Sequence, residues 1–289
     1  GNVINNGIIS GTGAAFILRG PSLTNNSSVT SSNLRFNSTA NLAGAGTFTS
    51  TNIYIDTFAV VNLLNNITVA PFTSMQVDNG AVLNPNTFFF TMTSGRFDLN
   101  PGATVSNSGI FRTQGTVYLN IRNGSFFNAP LRIATGTTTA NDQGSPYRGR
   151  LYGSLTVNSG ATLYVGTSGS YSLEVHNGVS NYGDITGAGT DLIFAGTSQI
   201  FLGTGTCQVN IVILNGSIVN MANDHQLRSV NINAGGTFNI SNYKIAFNAT
   251  NPIIQNGTFT TTNSKIEYNG TGLQIISTAN INYQKLKIN

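Results

Sequence analysis

Short runs of alternating apolar and polar residues recur along most of the chain. In residues 154–165 (SLTVNSGATLYV), Leu155 and Val157 precede an Asn-Ser-Gly corner, and Leu163 and Val165 follow it. Alternation of this kind predicts β-strands with one buried face, and the Asn and Gly predict a tight corner between two strands. Gly and β-branched residues interrupt every window that could form a helix. The pattern therefore predicts an all-β chain.

The same corner returns at a nearly constant interval. Its copies are VDNGAV (77–82), LNPGAT (99–104), IRNGSF (121–126), VNSGAT (157–162), VHNGVS (175–180), INAGGT (232–237) and IQNGTF (254–259). Including looser copies, successive corner glycines are about 20 residues apart, except for one gap of about 36, and a period near 20 is typical of solenoids. We therefore predict a right-handed parallel β-helix (β-solenoid) with roughly 20 residues per turn. A sandwich or antiparallel barrel has no reason to repeat one corner at one period.

The second position of the repeated unit is usually polar. It is Asp78, Asn100, Asn158 and Asn233 in four copies, and Arg122, His176 and Gln255 in three others. Because equivalent residues stack on one another in a solenoid, we expect a ladder of turn side chains along one edge.

Two parts of the chain depart from this rhythm. Residues 1–60 carry the pattern loosely, which predicts irregular N-terminal turns or a cap, and residues 61–289 form the regular solenoid. Residues 134–153 are polar and lack alternation, so we expect a protruding loop there. The C-terminal YQKLKIN stops on a strand without a polar cap, which predicts that the native protein continues or pairs at this point.

The composition limits the kinds of partner. Only 8% of residues are charged, against about 25% in typical domains, so 40 Asn and 62 Ser and Thr residues must supply the polar surface. The net charge of +4 is the difference between 13 basic and nine acidic residues. The basic residues are sparse, with Arg148 and Arg150 as the densest pair, which argues against a nucleic-acid partner. No apolar stretch reaches 18 residues, so no membrane span is predicted.

The acidic residues do not form a recognisable catalytic motif. β-Helical enzymes that cleave polysaccharides need clustered carboxylates, and this chain has nine scattered Asp and Glu residues. Asp78 and Asp98 are one period apart, but Asn100 rather than Asp98 occupies the position that matches Asp78. We therefore predict a protein that is not an enzyme.

The metal and thiol chemistry of the sequence is equally sparse. His176 and His225 have no His or Cys neighbour at metal-ligand spacing, so neither a metal site nor a cofactor is predicted. Cys207 is the only cysteine, within GTGTCQVNIVIL, and is predicted to face the core.

The densest collection of functional groups lies in the predicted loop. It consists of Asp142, Tyr147, Arg148, Arg150 and Tyr152. A tyrosine beside Arg and Asp can stack on a sugar and hydrogen-bond to it, so these residues are candidate contacts for a glycan or another partner. The alternative is a solvated loop whose tyrosines pack against the solenoid.

The C-terminal IEYNGTGLQIISTANINYQKLKIN resembles a repeat of large secreted surface proteins of the Bacteroidetes type. The matching residues are Tyr268, Asn269, Gly270, Gly272, Gln274, Ile276, Tyr283, Leu286 and Ile288. VNSGATLYV and INAGGTFNI are also similar to turns of adhesin and autotransporter-like β-helices. The resemblance implies an exported surface or matrix protein with an adhesive or stalk role and carries no catalytic residue.

Together these features predict a secreted or cell-surface segment with a structural or adhesive role in a bacterial surface or fibre protein. Its partners would be glycans, neighbouring copies of itself or other surface proteins. The alternative is a carbohydrate-active β-helix, either a polysaccharide lyase or hydrolase or a glycan-binding module. Two carboxylates within about 10 Å in a groove would favour a hydrolytic enzyme.

Overall fold

The computed structural model describes residues 1–106, 109–141, 148–166, 171–187, 189–276, 281 and 283–289. These residues form β-strands and turns, without a helix. The fold is a parallel β-solenoid of about 13 turns with about 21 residues per turn. Packing divides the chain into unit 1, Gly1–Gly153, and unit 2, Ser154–Asn289.

Unit 1 contains the first 17 strands found in the described residues. They are β1 (Val3–Asn5), β2 (Ile8–Leu18), β3 (Ser22–Asn25), β4 (Ser28–Phe36), β5 (Ala40–Ala43), β6 (Thr47–Phe48), β7 (Asn52–Ile55), β8 (Val60–Leu63), β9 (Ile67–Val69), β10 (Ser74–Val77), β11 (Val82–Asn84), β12 (Phe89–Leu99), β13 (Thr104–Val105), β14 (Ile110–Ile121), β15 (Phe126–Phe127), β16 (Leu131–Asn141) and β17 (Arg148–Leu151).

Unit 2 contains the strands from residue 155 onwards. They are β18 (Leu155–Val157), β19 (Ala161–Val165), β20 (Ser172–Val175), β21 (Val179–Asn181), β22 (Asp184–Thr186), β23 (Asp191–Phe194), β24 (Gln199–Leu202), β25 (Thr206–Ile213), β26 (Ile218–Met221), β27 (His225–Ile232), β28 (Thr237–Asn239), β29 (Lys244–Phe247), β30 (Ile253–Gln255), β31 (Thr258–Thr260), β32 (Lys265–Tyr268) and β33 (Lys285–Ile288).

Each strand pairs in parallel with the equivalent strand of the next turn. In unit 1, Leu23 of β3 lies opposite Leu42 of β5, so one turn separates residues 19 positions apart. In unit 2, Cys207 of β25 lies opposite Leu227 of β27, which lies opposite Phe247 of β29. The predicted all-β parallel solenoid is confirmed, and its right-handed sense stays a prediction.

The corner glycines adopt the conformation for which glycine is needed. Gly80, Gly102 and Gly124 have φ of 71°, 77° and 81°, a left-handed region that other residues seldom adopt. They also stack: the Gly80 amide donates to the Gly102 carbonyl at 3.2 Å, and the Gly102 amide to the Gly124 carbonyl at 2.7 Å. The repeated glycine is therefore a backbone requirement of the turn.

The interior of each unit is apolar and densely packed. In unit 1, Phe97 packs edge-on against Phe111 at 4.7 Å between ring centroids, and Phe111 against Phe127 at 5.2 Å. All three rings are fully buried. In unit 2, Cys207 is fully buried, as its apolar flanks predicted.

A few asparagines stack with their amides in contact, inside and outside the core. Inside unit 1, Asn5 donates to the fully buried Asn25 at 2.7 Å. On the outside of unit 1 lies a column that we call the Asn41 ladder, formed by Asn41, Asn62, Asn84 and Ser106. Each of its last three members donates to the one before it, at 3.2, 3.0 and 2.5 Å respectively.

The prediction of a protruding loop over residues 134–153 is wrong for two parts of this range. Residues 134–141 continue strand β16, and residues 148–151 form β17, while residues 142–147 lie outside the described residues. The sequence pattern did not indicate this strand, because its threonines are polar and interrupt the alternation of apolar and polar residues. The buried Thr138 places its hydroxyl 2.6 Å from that of Thr113, so a polar side chain is satisfied inside the core.

Residues 1–60 also belong to the solenoid. They contain strands β1 to β7, and their pairings within unit 1 are parallel. Among the described residues no helix is long and apolar enough to cross a membrane.

Candidate functional site

A shallow groove of about 390 Å³ crosses the outer face of unit 1, and we call it the Tyr118 groove. Its lining residues are Phe72, Thr73, Gly95, Arg96, Tyr118, Asn120 and Asn141. They come from three successive turns and from the segment before β10. None of the lining residues that the structure describes carries a carboxylate.

The strand register brings the groove residues together. Arg96 of β12 lies opposite Tyr118 of β14, and Asn120 of β14 lies opposite Asn141 of β16. Because side chains alternate between the two faces of a strand, Tyr118 and Asn120 lie on the outer side of β14 while Leu119 between them is fully buried. Tyr118 is exposed there, whereas Asn120 is only 2% exposed. The groove thus spans two neighbouring outer-face positions of each strand.

Asp98 organises the polar side chains of this groove. It is 1% exposed, accepts a hydrogen bond from Asn120 Nδ2 at 2.6 Å and another from Arg96 Nε at 2.7 Å. An Arg122 guanidinium nitrogen lies 3.8 Å from Asp98 Oδ1. A buried carboxylate with two arginines holds Arg96 and Asn120 in fixed positions, and the cluster keeps one excess positive charge.

Aromatic rings border the same groove. Tyr118 is 46% exposed and Phe72 is 70% exposed, which is a large exposure for such rings. Gly95 keeps the floor low, because its φ is 79° and a Cβ there would lie 2.5 Å from the Pro71 carbonyl oxygen. The groove therefore combines exposed rings with polar groups that are already oriented.

Unit 2 has a larger and more polar groove of about 650 Å³, which we call the Arg228 groove. Asn210 within it donates to Asp191 at 3.0 Å and accepts from Ser229 at 2.8 Å. Arg228 and Asn231 add polar groups, and the exposed Ile254 adds an apolar one. Asp191 is the single carboxylate among the described residues that line this groove.

The five sequence-predicted contact residues are placed only in part. Asp142 and Tyr147 lie outside the described residues. Arg148 and Arg150 belong to β17, and Tyr152 stacks on Phe126 with 6.3 Å between ring centroids. The stacking shows that Tyr152 packs against the solenoid surface, as the alternative reading of the loop expected. A role of these residues in binding stays a prediction.

The expected register of the two neighbouring aspartates is confirmed. Asn100 lies over Asp78 and donates to it at 2.9 Å, whereas Asp98 lies over Gln76. The Asp78–Asn100 contact also provides one step of the predicted ladder of turn residues. The two carboxylates therefore belong to different columns and have different partners.

The two histidines have different surroundings. His176 Nε2 lies 2.6 Å from Glu174 Oε1, so His176 is not isolated. His225 is buried against Phe201, with 4.4 Å between ring centroids, and burial lowers its pKa to about 4. Burial also raises the pKa of the Cys207 thiol to about 12. Among the described residues, no three His, Cys, Asp or Glu side chains are grouped as metal ligands.

The C-terminal motif residues have structural contacts. Gln274 accepts from the Gly270 amide at 2.7 Å and donates to the Ala249 carbonyl at 2.9 Å, which fixes the turn after β32. The Tyr268 and Tyr283 hydroxyls are 2.8 Å apart, and burial together with this hydrogen bond raises the pKa of Tyr283. The motif thus closes one turn of the solenoid.

Comparisons with protein-family models, curated proteins and solved structures gave no significant match. The solenoid expected from the resemblance is present. The relationship to Bacteroidetes surface proteins or adhesins has no support in these comparisons.

The sequence reasoning missed the residues of the Tyr118 groove. A signal was available, since Arg96 and Tyr118, like Asp98 and Asn120, are 22 positions apart, close to one turn. Spacing alone does not identify them, because turn lengths vary along the chain.

Proposed function

We propose that this chain is a non-catalytic structural and adhesive segment of an extracellular surface or fibre protein, and that it binds glycans through the Tyr118 groove. The observation that carries this proposal is the position of the exposed Tyr118 ring beside Arg96 and Asn120, both of which are held by the buried Asp98. Sugars present hydroxyl groups at their edges and apolar C–H groups on their faces, and this groove offers partners for both.

Binding in this groove would need little reorganisation. The Tyr118 ring can pack against the apolar face of a sugar, while the half-exposed Arg96 guanidinium donates hydrogen bonds to its hydroxyl groups. Because Asp98 already orients Arg96, little side-chain entropy is lost when the glycan binds. The Arg228 groove of unit 2 offers a second set of polar groups for the same class of ligand.

The scarcity of charge supports the structural part of the proposal. With 8% charged residues, the faces of neighbouring copies repel one another weakly, so lateral association into fibres is favoured. Exposure of the chain on the surface of the producing cells can be tested by protease treatment of intact cells. Protection of the chain in intact cells, with cleavage after lysis, would contradict an extracellular location.

The carbohydrate-active alternative receives less support from the grooves. Hydrolysis of a glycosidic bond requires two carboxyl groups on either side of that bond. Within the described part of the chain, the residues that line the Tyr118 groove include none, and those that line the Arg228 groove include Asp191 alone. Release of reducing ends from a bound polysaccharide by the purified chain would favour the alternative.

The glycan proposal is tested by replacing the ring of Tyr118. Calorimetric titration with neutral hexasaccharides of glucose, xylose, mannose or N-acetylglucosamine identifies a ligand for the full chain. Tyr118→Ala is expected to weaken its binding about tenfold or more, and Tyr118→Phe to retain most of it, because the stacking face is kept. Tyr182→Ala is the matched control, since Tyr182 is also 46% exposed but lies in unit 2. Equal losses for the two alanine variants, or no binding of any hexasaccharide, would overturn the proposal.

A further inference from the structure

All four lysines of the protein lie between residues 244 and 287. In unit 2, Lys244 lies opposite Lys265, and Lys265 lies opposite Lys285. We call these three residues the lysine column. Paired strands are about 4.8 Å apart, so the three side chains leave the backbone at about that interval. The parallel register therefore gathers these three lysines on one face.

The fourth lysine lies on the same face. Lys287 is two positions after Lys285 and occupies the register position of Glu267 and Ala246 in the previous turns. Between the two columns the strands turn the buried Ile245 and Ile266 towards the core. The outward positions of β29, β32 and β33 are therefore four lysines, Glu267 and Ala246.

The lysines act together on the one carboxylate among these positions. Lys265 Nζ lies 2.6 Å from Glu267 Oε1. This hydrogen bond lowers the pKa of Glu267, against the opposing effect of burial, and the charges of Lys244 and Lys287 lower it further. A second carboxylate, that of Asp224, accepts a hydrogen bond from the Lys244 backbone amide at 2.8 Å. Of the four ammonium groups, Lys265 is paired with a carboxylate, and four lysines against Glu267 and Asp224 leave the face with an excess of positive charge.

A lysine column is costly in a solenoid. Like charges directly opposite each other on paired strands destabilise the sheet. The Asn41 ladder of unit 1 avoids this repulsion, because its side chains are uncharged and each amide hydrogen-bonds to the next. An anionic ligand that runs along the column would compensate the repulsion between its ammonium groups and release counterions from the face.

We propose that the lysine column, with Lys287, binds a linear acidic polysaccharide that carries repeated carboxylate or sulfate groups. A linear polymer with regularly spaced charges matches ammonium groups repeated from turn to turn, and lysine recognises an anion as a point charge without demanding one geometry. Single-stranded nucleic acid relies in addition on aromatic rings for base stacking. The six outward positions of this face hold no ring, which favours the polysaccharide.

This site is independent of the Tyr118 groove, which lies in unit 1 and is proposed for neutral sugars. The two proposals can therefore fail separately. Tyr118→Ala is expected to leave binding to acidic polysaccharide unchanged, and substitutions in the lysine column to leave binding of neutral hexasaccharides unchanged.

The test measures binding of the full chain to heparin, polygalacturonate, neutral dextran and a short single-stranded DNA at about 50 mM and about 200 mM NaCl. We expect heparin or polygalacturonate to bind at low salt and to weaken steeply at high salt. Lys265→Gln/Lys285→Gln is expected to weaken this binding about tenfold or more. Lys265→Arg/Lys285→Arg keeps the charge and is expected to retain the binding, which separates loss of charge from loss of fold.

The matched control is Arg19→Gln/Arg132→Gln, which removes the same charge from exposed positions of unit 1. It is expected to change binding by less than about twofold. The proposal is overturned if neither acidic polysaccharide binds at low salt, if the control loses as much affinity as the lysine variant, or if single-stranded DNA binds more tightly than both polysaccharides.

Discussion

The Asn41 ladder of unit 1 and the lysine column of unit 2 are built on the same backbone geometry, with equivalent residues of successive turns in parallel register. In the first, Asn62 accepts from Asn84 and donates to Asn41, so each amide satisfies its neighbours. In the second, lysines occupy equivalent positions of three successive turns, and one of them, Lys265, pairs with Glu267. A solenoid repeats whatever occupies a column, and the chemistry of the side chain decides whether repetition stabilises or strains it.

Polar groups in the core differ from both surface columns, because water cannot compensate for a missing partner. Asn25 is satisfied there by Asn5 and by the Thr47 carbonyl. His225 is buried against an aromatic ring instead. Changes at interior positions should therefore alter the free energy of unfolding strongly. Changes in the surface columns should alter it weakly and in a salt-dependent way.

The largest effect is expected from protonation of His225. Its pKa in the folded chain is about 4, below the ordinary value of 6.5, so the folded state favours the neutral ring. The contribution to stability is complete above pH 6.5 and is lost as the pH falls towards 4. The loss amounts to about 3 kcal/mol in the free energy of unfolding, measured by urea denaturation across this pH range.

His225→Phe provides the control for this prediction. It retains a ring against Phe201 and removes the titration of His225, so the other titratable groups account for any pH dependence that remains. An identical pH dependence in the variant and the original chain would show that His225 is not the titrating group.

The next effect is expected from the asparagine inside unit 1. Asn25→Ala removes the donor to the Thr47 carbonyl and the acceptor for Asn5, and leaves buried polar groups unpaired. We expect a loss of about 2 kcal/mol in the free energy of unfolding. Asn62→Ala in the Asn41 ladder should cost less than about 0.5 kcal/mol, because water replaces its partners. Similar losses for the two variants would remove the distinction between core and surface ladders.

The smallest effects come from exchanging the chemistry of the two surface columns. Asn62→Lys/Asn84→Lys places two like charges opposite each other and should destabilise the chain by about 0.5 kcal/mol at low salt. Lys285→Asn removes a like-charge neighbour of Lys265 and should stabilise the chain by a similar amount. Both changes should fade in high salt, where charges on the surface are screened. Thermal unfolding at two salt concentrations measures them, and salt-independent shifts would contradict an electrostatic origin.

The corners and the core were predictable because each depends on local chemistry. Gly80, Gly102 and Gly124 recur where the turn needs a positive φ, and the apolar flanks of Cys207 predicted its burial. The strand at 134–141 was missed because threonine is polar in the sequence but satisfies its hydroxyl within the core, as Thr138 does.

The candidate sites were much less predictable. Whether Arg96, Tyr118 and Asn120 meet depends on the number of residues in each turn, and this number varies: Leu23 and Leu42 are 19 apart, whereas Phe97 and Leu119 are 22 apart. One residue of difference moves a side chain to the other face of the strand. The average spacing of the corner glycines does not contain this variation. It therefore predicts the solenoid architecture but not which residues of successive turns align in a column.

The sequence by itself determined that this protein is a charge-poor β-solenoid, because alternation and corner glycines are properties of neighbouring residues. Only the tertiary structure decided which distant residues share a face: the Tyr118 groove around Asp98, the Asn41 ladder and the lysine column. The physical reason is that parallel stacking brings residues about 20 positions apart to within about 4.8 Å, and the length of each turn selects which ones meet.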